Sequence, residues 1–185
     1  MAIKTCIFDA YGTLFDVAAA ARNAAAEPGR EAIATKWPAI AATWRMKQLN
    51  YSWLRAVADA HCDFWQVTED GLDFALEQEG IDDPELRERL LALYWELQAY
   101  REVPLMLTKL KAAGYKTGIL SNGSPAMLEG AVKSAGIETV LDEVLSVERV
   151  REMNLRTARL GLVDDRNDTS WQDHVKKIAD QARSN

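Results

Sequence analysis

The segment IFDAYGTLFD, residues 7–16, ends an apolar run on a carboxylate and follows it with a glycine and a threonine. Asp9, at the end of that run, is placed to be a nucleophile. An ionised carboxylate facing backbone N–H donors stays charged at neutral pH and can attack carbon or phosphorus to form an ester intermediate. Gly12 permits the tight turn behind it, and the Thr13 hydroxyl can hydrogen-bond a neighbouring carboxylate or strand end. A second apolar run, TGIL, ends on Ser121 and Asn122 and is followed by Ser124 and Pro125. Backbone N–H groups after each run, with the helix N-terminus after Ser124, make a cradle for an anion.

Such residues act together only if both apolar runs are neighbouring strands. IKTCIFD reads as strand one, apolar on both faces as a central parallel strand is. From 17 to 100 the pattern is helical. AIAATWRMKQLNYSWLRAVADAHCDFW carries Trp44, Leu49, Trp53, Val57 and Phe64 near helical spacing. TEDGLDFALEQEG starts at a threonine cap and stops at Gly80, and DDPELRERLLALYWELQAY opens on Asp-Pro. The alanine-rich AAAARNAAA is helix-prone. The α/β pattern then returns. LMLTKLKAAG is a helix ended by Gly114, YKTGILSNG a strand, and SPAMLEGAVKSAG a helix capped by Ser124. LDEVLSV is a third strand, RLGLVDD a fourth, and DTSWQDHVKKIADQARS a last helix. This predicts an α/β fold with a parallel sheet: a core from 1–16 and 101–185, and a helical insert over 17–100. Ligands of open α/β sheets bind beyond the carboxyl ends of the strands, where Asp9, Ser121 and Asn122 fall. No G-x-G-x-x-G follows strand one, against a dinucleotide-binding protein.

Composition narrows the partners. The 185 residues carry a net charge of −6 with no basic stripe, against nucleic acid or an anionic membrane as partner. No apolar run reaches the roughly 18 residues of a membrane span, and no signal peptide is expected. Cys6 and Cys62 have no partner spacing and read as buried free thiols in a reducing cytoplasm. His61 and His174 have no ligand-spaced partners. On residue type alone Asp9 also fits a strand-end cap, Ser121 a turn, Arg45 a solvated helix residue, and Leu49 and Phe64 core positions. The Trp-rich stretch from Trp37 to Trp65 reads as packing within the insert or as a subunit contact.

FDAYGTLFD together with ILSNGSP resembles the haloacid dehalogenase superfamily. TWRMKQLNYSWLRA followed by DFWQVTEDGL is similar, more narrowly, to its L-2-haloacid dehalogenases. The resemblance implies a Rossmann-like parallel core with a helical cap inserted after strand one. It also implies hydrolysis of a small 2-haloalkanoic acid, no cofactor, no metal and a homodimer. Asp9 would displace the halogen, Arg45 would receive the halide, and Thr13, Ser121 and Asn122 would hold the nucleophile and the substrate carboxylate. Tyr11, Leu49 and Phe64 would be apolar walls that keep water away. Phosphatases of this superfamily carry a second aspartate two residues after the nucleophile, to protonate an alkoxide leaving group. Tyr11 stands there instead. Halide needs no proton, and losing that carboxylate removes part of a Mg²⁺ site. The rivals are a small-substrate phosphatase of the same superfamily, and a defective member that binds carboxylates without turnover.

The resemblance runs to about residue 147. Beyond it the family's Lys-Pro and Ser-Ser-Asn segments are unmatched in REMNLRTARLGLVDDRND, and Met46 stands where a polar residue follows the family's cap arginine. The lysine would lower the pKa of Asp9, and the family's late aspartate would position the hydrolytic water, so ester hydrolysis is the step most exposed. Two readings stay open. In one, Arg151 or Arg156 replaces the lysine, and Asp164, Asp165 and Asp168 supply the late acids. In the other, the terminus is truncated or shifted in sequence.

Overall fold

The computed structural model describes residues 4–149 except 59. The expected fourth strand and last helix lie outside the described residues. So do Arg151, Arg156, Asp164, Asp165, Asp168 and His174.

Strand β1, Thr5–Phe8, is followed by helices α1 (Ala19–Ala25), α2 (Glu31–Ala34), α3 (Trp37–Val57), α4 (Phe64–Gln78) and α5 (Pro84–Trp95). Helix α6 (Val103–Ala112), strand β2 (Lys116–Ser121), helix α7 (Pro125–Ser134), a 3₁₀ turn (Glu138–Val140) and strand β3 (Glu143–Ser146) complete the described order. The described strands form one parallel sheet in the order β1-β2-β3. Phe8 pairs with Ile119, and Ser121 with Ser146. The sheet is parallel as expected. Among the described residues, however, β1 lies at an edge, and Ile7 is 49% exposed rather than covered on both faces.

Side-chain caps set three of the helix starts. Asp83 accepts from the Leu86 N–H at 2.9 Å with Pro84 behind it, and Ser124 accepts from the Met127 N–H at 3.3 Å ahead of α7. Helix α4 corrects one expectation. Its cap is Asp63, which accepts from the Gln66 N–H at 2.8 Å. Thr68, the expected cap, is fully buried inside the helix, and its hydroxyl donates to the Phe64 carbonyl at 2.8 Å. A threonine can bond backwards to residue i−4 as well as forwards to a free N–H, and here the earlier aspartate takes the cap.

One apolar core joins the sheet to the helices. It runs from Ala10, Leu14 and Phe15 after β1, through Trp44, Leu90 and Tyr94, to Ile119, Met127 and Leu128. Helix α1 buries Ala19, Ala20, Ala21 and Ala24, so its alanine run makes a thin helix that neighbours approach closely. The expected apolar stripe of α3 is buried only in part. Trp44 is 2% exposed, whereas Leu49, Trp53 and Val57 are 46%, 73% and 85% exposed. Cys6 and Cys62 are free, and each is half-buried rather than buried.

Candidate active site

The turn after β1 builds the site. The Ala10 carbonyl accepts from the N–H groups of Thr13, Leu14 and Phe15, and Gly12 takes φ +85°. That left-handed conformation favours glycine. The turn leaves Asp9 exposed at the carboxyl edge of the sheet, where the Thr13 hydroxyl donates to its Oδ2 at 3.3 Å.

Tyr11 turns inward. It is 3% exposed, stacked on Tyr94 with ring centroids 5.9 Å apart and planes 8° apart, and tilted against Phe64 at 5.6 Å. Burial pushes the Tyr11 phenol far above its usual range, with Tyr94 and Asp9 adding to the shift, so it remains neutral. Its ring also lies on the second motif. A Cβ on Gly123 would fall 2.6 Å from Tyr11 Cε2. Gly123 therefore lets the loops after β1 and β2 close on one another.

Ser121 is 4% exposed, and its Oγ accepts from the Gly123 N–H at 3.3 Å. Asn122 is exposed. Ser146 ends β3 in register with Ser121, and its hydroxyl donates to the Gly123 carbonyl at 2.7 Å. Ser146 was not among the expected residues. Its signal is the matching ends of two strands, GILS and EVLS.

Arg45 reaches over this loop from α3. Its Nη2 donates to the Tyr11 carbonyl at 2.8 Å, and its guanidinium lies 3.5 Å from where a Gly12 Cβ would be. The structure thus gathers Asp9, Tyr11, Thr13 and Arg45 at one end of the sheet, with Ser121 and Asn122 ending the adjacent strand. Phe64 packs on Tyr11 from α4. Leu49 lies one turn beyond Arg45, and its exposure removes the core alternative for it. Among the described residues no group of three or more His, Cys, Asp or Glu is placed to hold a metal ion, and no helix is long and apolar enough to cross a membrane.

A parallel α/β sheet with an aspartate at the end of its first strand, a serine at the end of the second and an arginine reaching over from inserted helices defines a class of hydrolase core. A haloacid dehalogenase-like hydrolase model matches residues 3–160, and the chain belongs to that family. The chain is 42% identical over 150 residues to (S)-2-haloacid dehalogenase 4A of Burkholderia cepacia, covering 80% of this chain and 63% of the relative. It thus spans under two thirds of that relative's length. It is also similar to a crystal structure of a dehalogenase, with TM-score 0.73 and 39% identity, covering 87% of this chain and 73% of the other. A third similarity is to the L-2-haloacid dehalogenase of Xanthobacter autotrophicus with chloropropionic acid covalently bound. Its TM-score is 0.67 at 37% identity, covering 88% of this chain and 66% of the other. The family match reaches past residue 147, where the motif-level resemblance stops.

Proposed function

We propose that this chain carries out hydrolytic dehalogenation of L-2-haloacids to D-2-hydroxy acids. An Asp9 carboxylate oxygen forms a bond to C2 from the face opposite the halogen. The carbon–halogen bond breaks, and its electron pair leaves with the halide, inverting C2. Water then adds to the Asp9 carboxyl carbon, and the acyl C–O bond breaks. Asp9 is restored, the 2-hydroxy acid departs and one proton goes to solvent. Asp9 and Arg45 are the working pair. Thr13 orients the nucleophile, Ser121 and Asn122 take the substrate carboxylate, and Tyr11, Leu49 and Phe64 form the apolar wall.

The supporting observation is the Arg45 guanidinium lying on the loop two residues after Asp9. A fixed cation there stabilises the charge that develops on a departing halide. In this reading residues 17–100 form a cap domain over a core of 1–16 and 101–185. The protein works in the cytoplasm as a homodimer without metal or cofactor. The exposed apolar side chains Trp53, Leu54 and Val57 of α3 support a subunit contact.

A second reading, attack without turnover, is favoured by the unmatched lysine and late aspartate of the family pattern. Chloride release from L- and D-2-chloropropionate, followed with intact mass, separates the two. Steady release from the L form alone supports full turnover. A stoichiometric burst with one adduct on Asp9 supports attack without hydrolysis. No release and no adduct overturns both, as does full activity in Asp9→Asn.

A further inference from the structure

Arg45 is held by more than its own hydrogen bond. Its helix neighbours Trp44 and Gln48 are 2% and 1% exposed and both face α4. Trp44 Nε1 donates to the Thr68 carbonyl at 2.8 Å, and Gln48 Nε2 donates to Thr68 Oγ1 at 2.9 Å. The Tyr94 hydroxyl, on α5, donates to Gln48 Oε1 at 3.1 Å and accepts from Gln48 Nε2 at 3.0 Å. With the Thr68 hydroxyl donating to the Phe64 carbonyl, one buried polar network joins Tyr94, Gln48, Thr68 and Phe64. The two helices approach closely here. A Cβ on Gly71 would lie 3.3 Å from both Trp44 Cδ1 and Trp44 O, and 3.4 Å from Gln48 N. The network also returns to Arg45, because the Tyr94 ring stacks on Tyr11, whose carbonyl accepts the guanidinium.

We propose that Gln48, Thr68 and Tyr94 are positioning residues for Arg45, a buried polar chain that fixes the rotation of α3 and so the place of the guanidinium above the loop after Asp9. Each residue turns a helix by about 100°, so pinning positions 44 and 48 leaves position 45 one bearing. A leucine would fill the space of Gln48 without desolvating an amide, so the amide's contribution is directional. Buried polar groups of this kind select one register among several packings that are equally apolar. The role deepens the halide-releasing reading and rests on it.

Tyr94→Phe removes one hydroxyl and keeps the stacked ring, and Gln48→Met keeps the shape of the side chain without its amide. Two measurements are made on each full-length variant. The first is kcat and KM for L-2-chloropropionate and L-2-bromopropionate. A displaced guanidinium costs the poorer leaving group more, so kcat for chloride should fall about ten-fold or more, with bromide falling less and KM changing little. The second is the rate at which phenylglyoxal modifies Arg45, read by peptide mass against exposed Arg101. It should rise several-fold at Arg45 alone. A drop in kcat equal for both halides with an unchanged Arg45 rate would mean a merely structural role and overturn the proposal, as would no change in either. If the parent chain releases no halide, the modification rate decides alone: faster at Arg45 supports positioning, and unchanged overturns it. If Gln48→Met does not fold, Tyr94→Phe carries the same decision.

Discussion

Arg45 and Tyr11 are joined by one hydrogen bond, from guanidinium Nη2 to a main-chain oxygen at 2.8 Å. The acceptor is main chain, so the bond specifies the geometry of the turn after Asp9 rather than the side chain at position 11. The Tyr11 ring points the other way, into the core. Position 11 therefore acts twice: its carbonyl seats the cation, and its ring packs between Tyr94 and Phe64.

Arg45→Lys keeps the positive charge and loses the planar fork. A lysine ammonium is a flexible point charge and cannot both hold the Tyr11 carbonyl and present a second N–H to a leaving group. Halide release should fall by about two orders of magnitude, the cost of removing one preorganised donor from a developing anion. Thermal stability should change little, because Arg45 is only half-buried. Parallel halide assays and melting curves check both parts.

Gly123→Ala tests the closure of the two loops. The added methyl would lie 2.6 Å from Tyr11 Cε2 and 3.2 Å from Leu128 Cδ2. The Tyr11 ring cannot swing away, being held between Tyr94 and Phe64. Overpacking of this kind costs about 1–3 kcal/mol, to be read as a lowered denaturation midpoint. Activity should fall further than stability accounts for, since the strain falls on the residue whose main-chain carbonyl seats Arg45.

Local signals were the legible part of this chain. Asp83-Pro84 and Ser124-Pro125 start α5 and α7 where a cap followed by proline should, and YKTGILSNG contains β2. These features depend on a few adjacent residues. Trp53 and Val57 share helical spacing with Trp44, yet they stand in solvent. Periodicity finds a helical face and cannot say how much of its length another element covers. The placement of Arg45 over Tyr11 joins residues 34 positions apart and follows from no spacing; its role came with the family resemblance. Gln48 was legible in hindsight, as an amide one turn after a buried tryptophan on the same face.

Raising the pH tests the buried phenols. Burial pushes Tyr94 up to about 12 from its ordinary value of 10.0, against the opposing hydrogen bond from Gln48, and Tyr11 shifts in the same direction. The folded state thus keeps protons that the unfolded chain releases above pH 10. Stability from these groups is fully present below that pH and is lost as pH rises through the folded values. Denaturant titrations should show a decline beginning near pH 10, and Tyr94→Phe should make it shallower. An unchanged slope would mean that Tyr94 ionises as freely when folded as when unfolded.

Lowering the pH tests the opposite sign at the far end of β2. Asp142 Oδ1 accepts from Lys111 Nζ at 2.6 Å, and Oδ2 accepts from the Thr117 N–H at 2.7 Å. The Lys111 bond, with the Thr117 N–H second, holds the Asp142 carboxyl below its ordinary value of 3.8. Its contribution is therefore present above the unfolded value and is lost as pH falls through the folded one. The carboxylate ties the starts of β2 and β3, where Asp142 N also donates to the Thr117 carbonyl at 2.8 Å. Asp142→Asn keeps the size and one acceptor but loses the charge. It should cost about 1–2 kcal/mol at pH 7, the range for partly exposed charge-assisted bonds. The gap between variant and parent should narrow as the pH falls below 3.8 toward the lower value of the folded carboxyl. Urea midpoints measured for both chains from pH 7 to pH 3 check this, and a gap that stays constant over that range would remove the ionised Asp142 from its role.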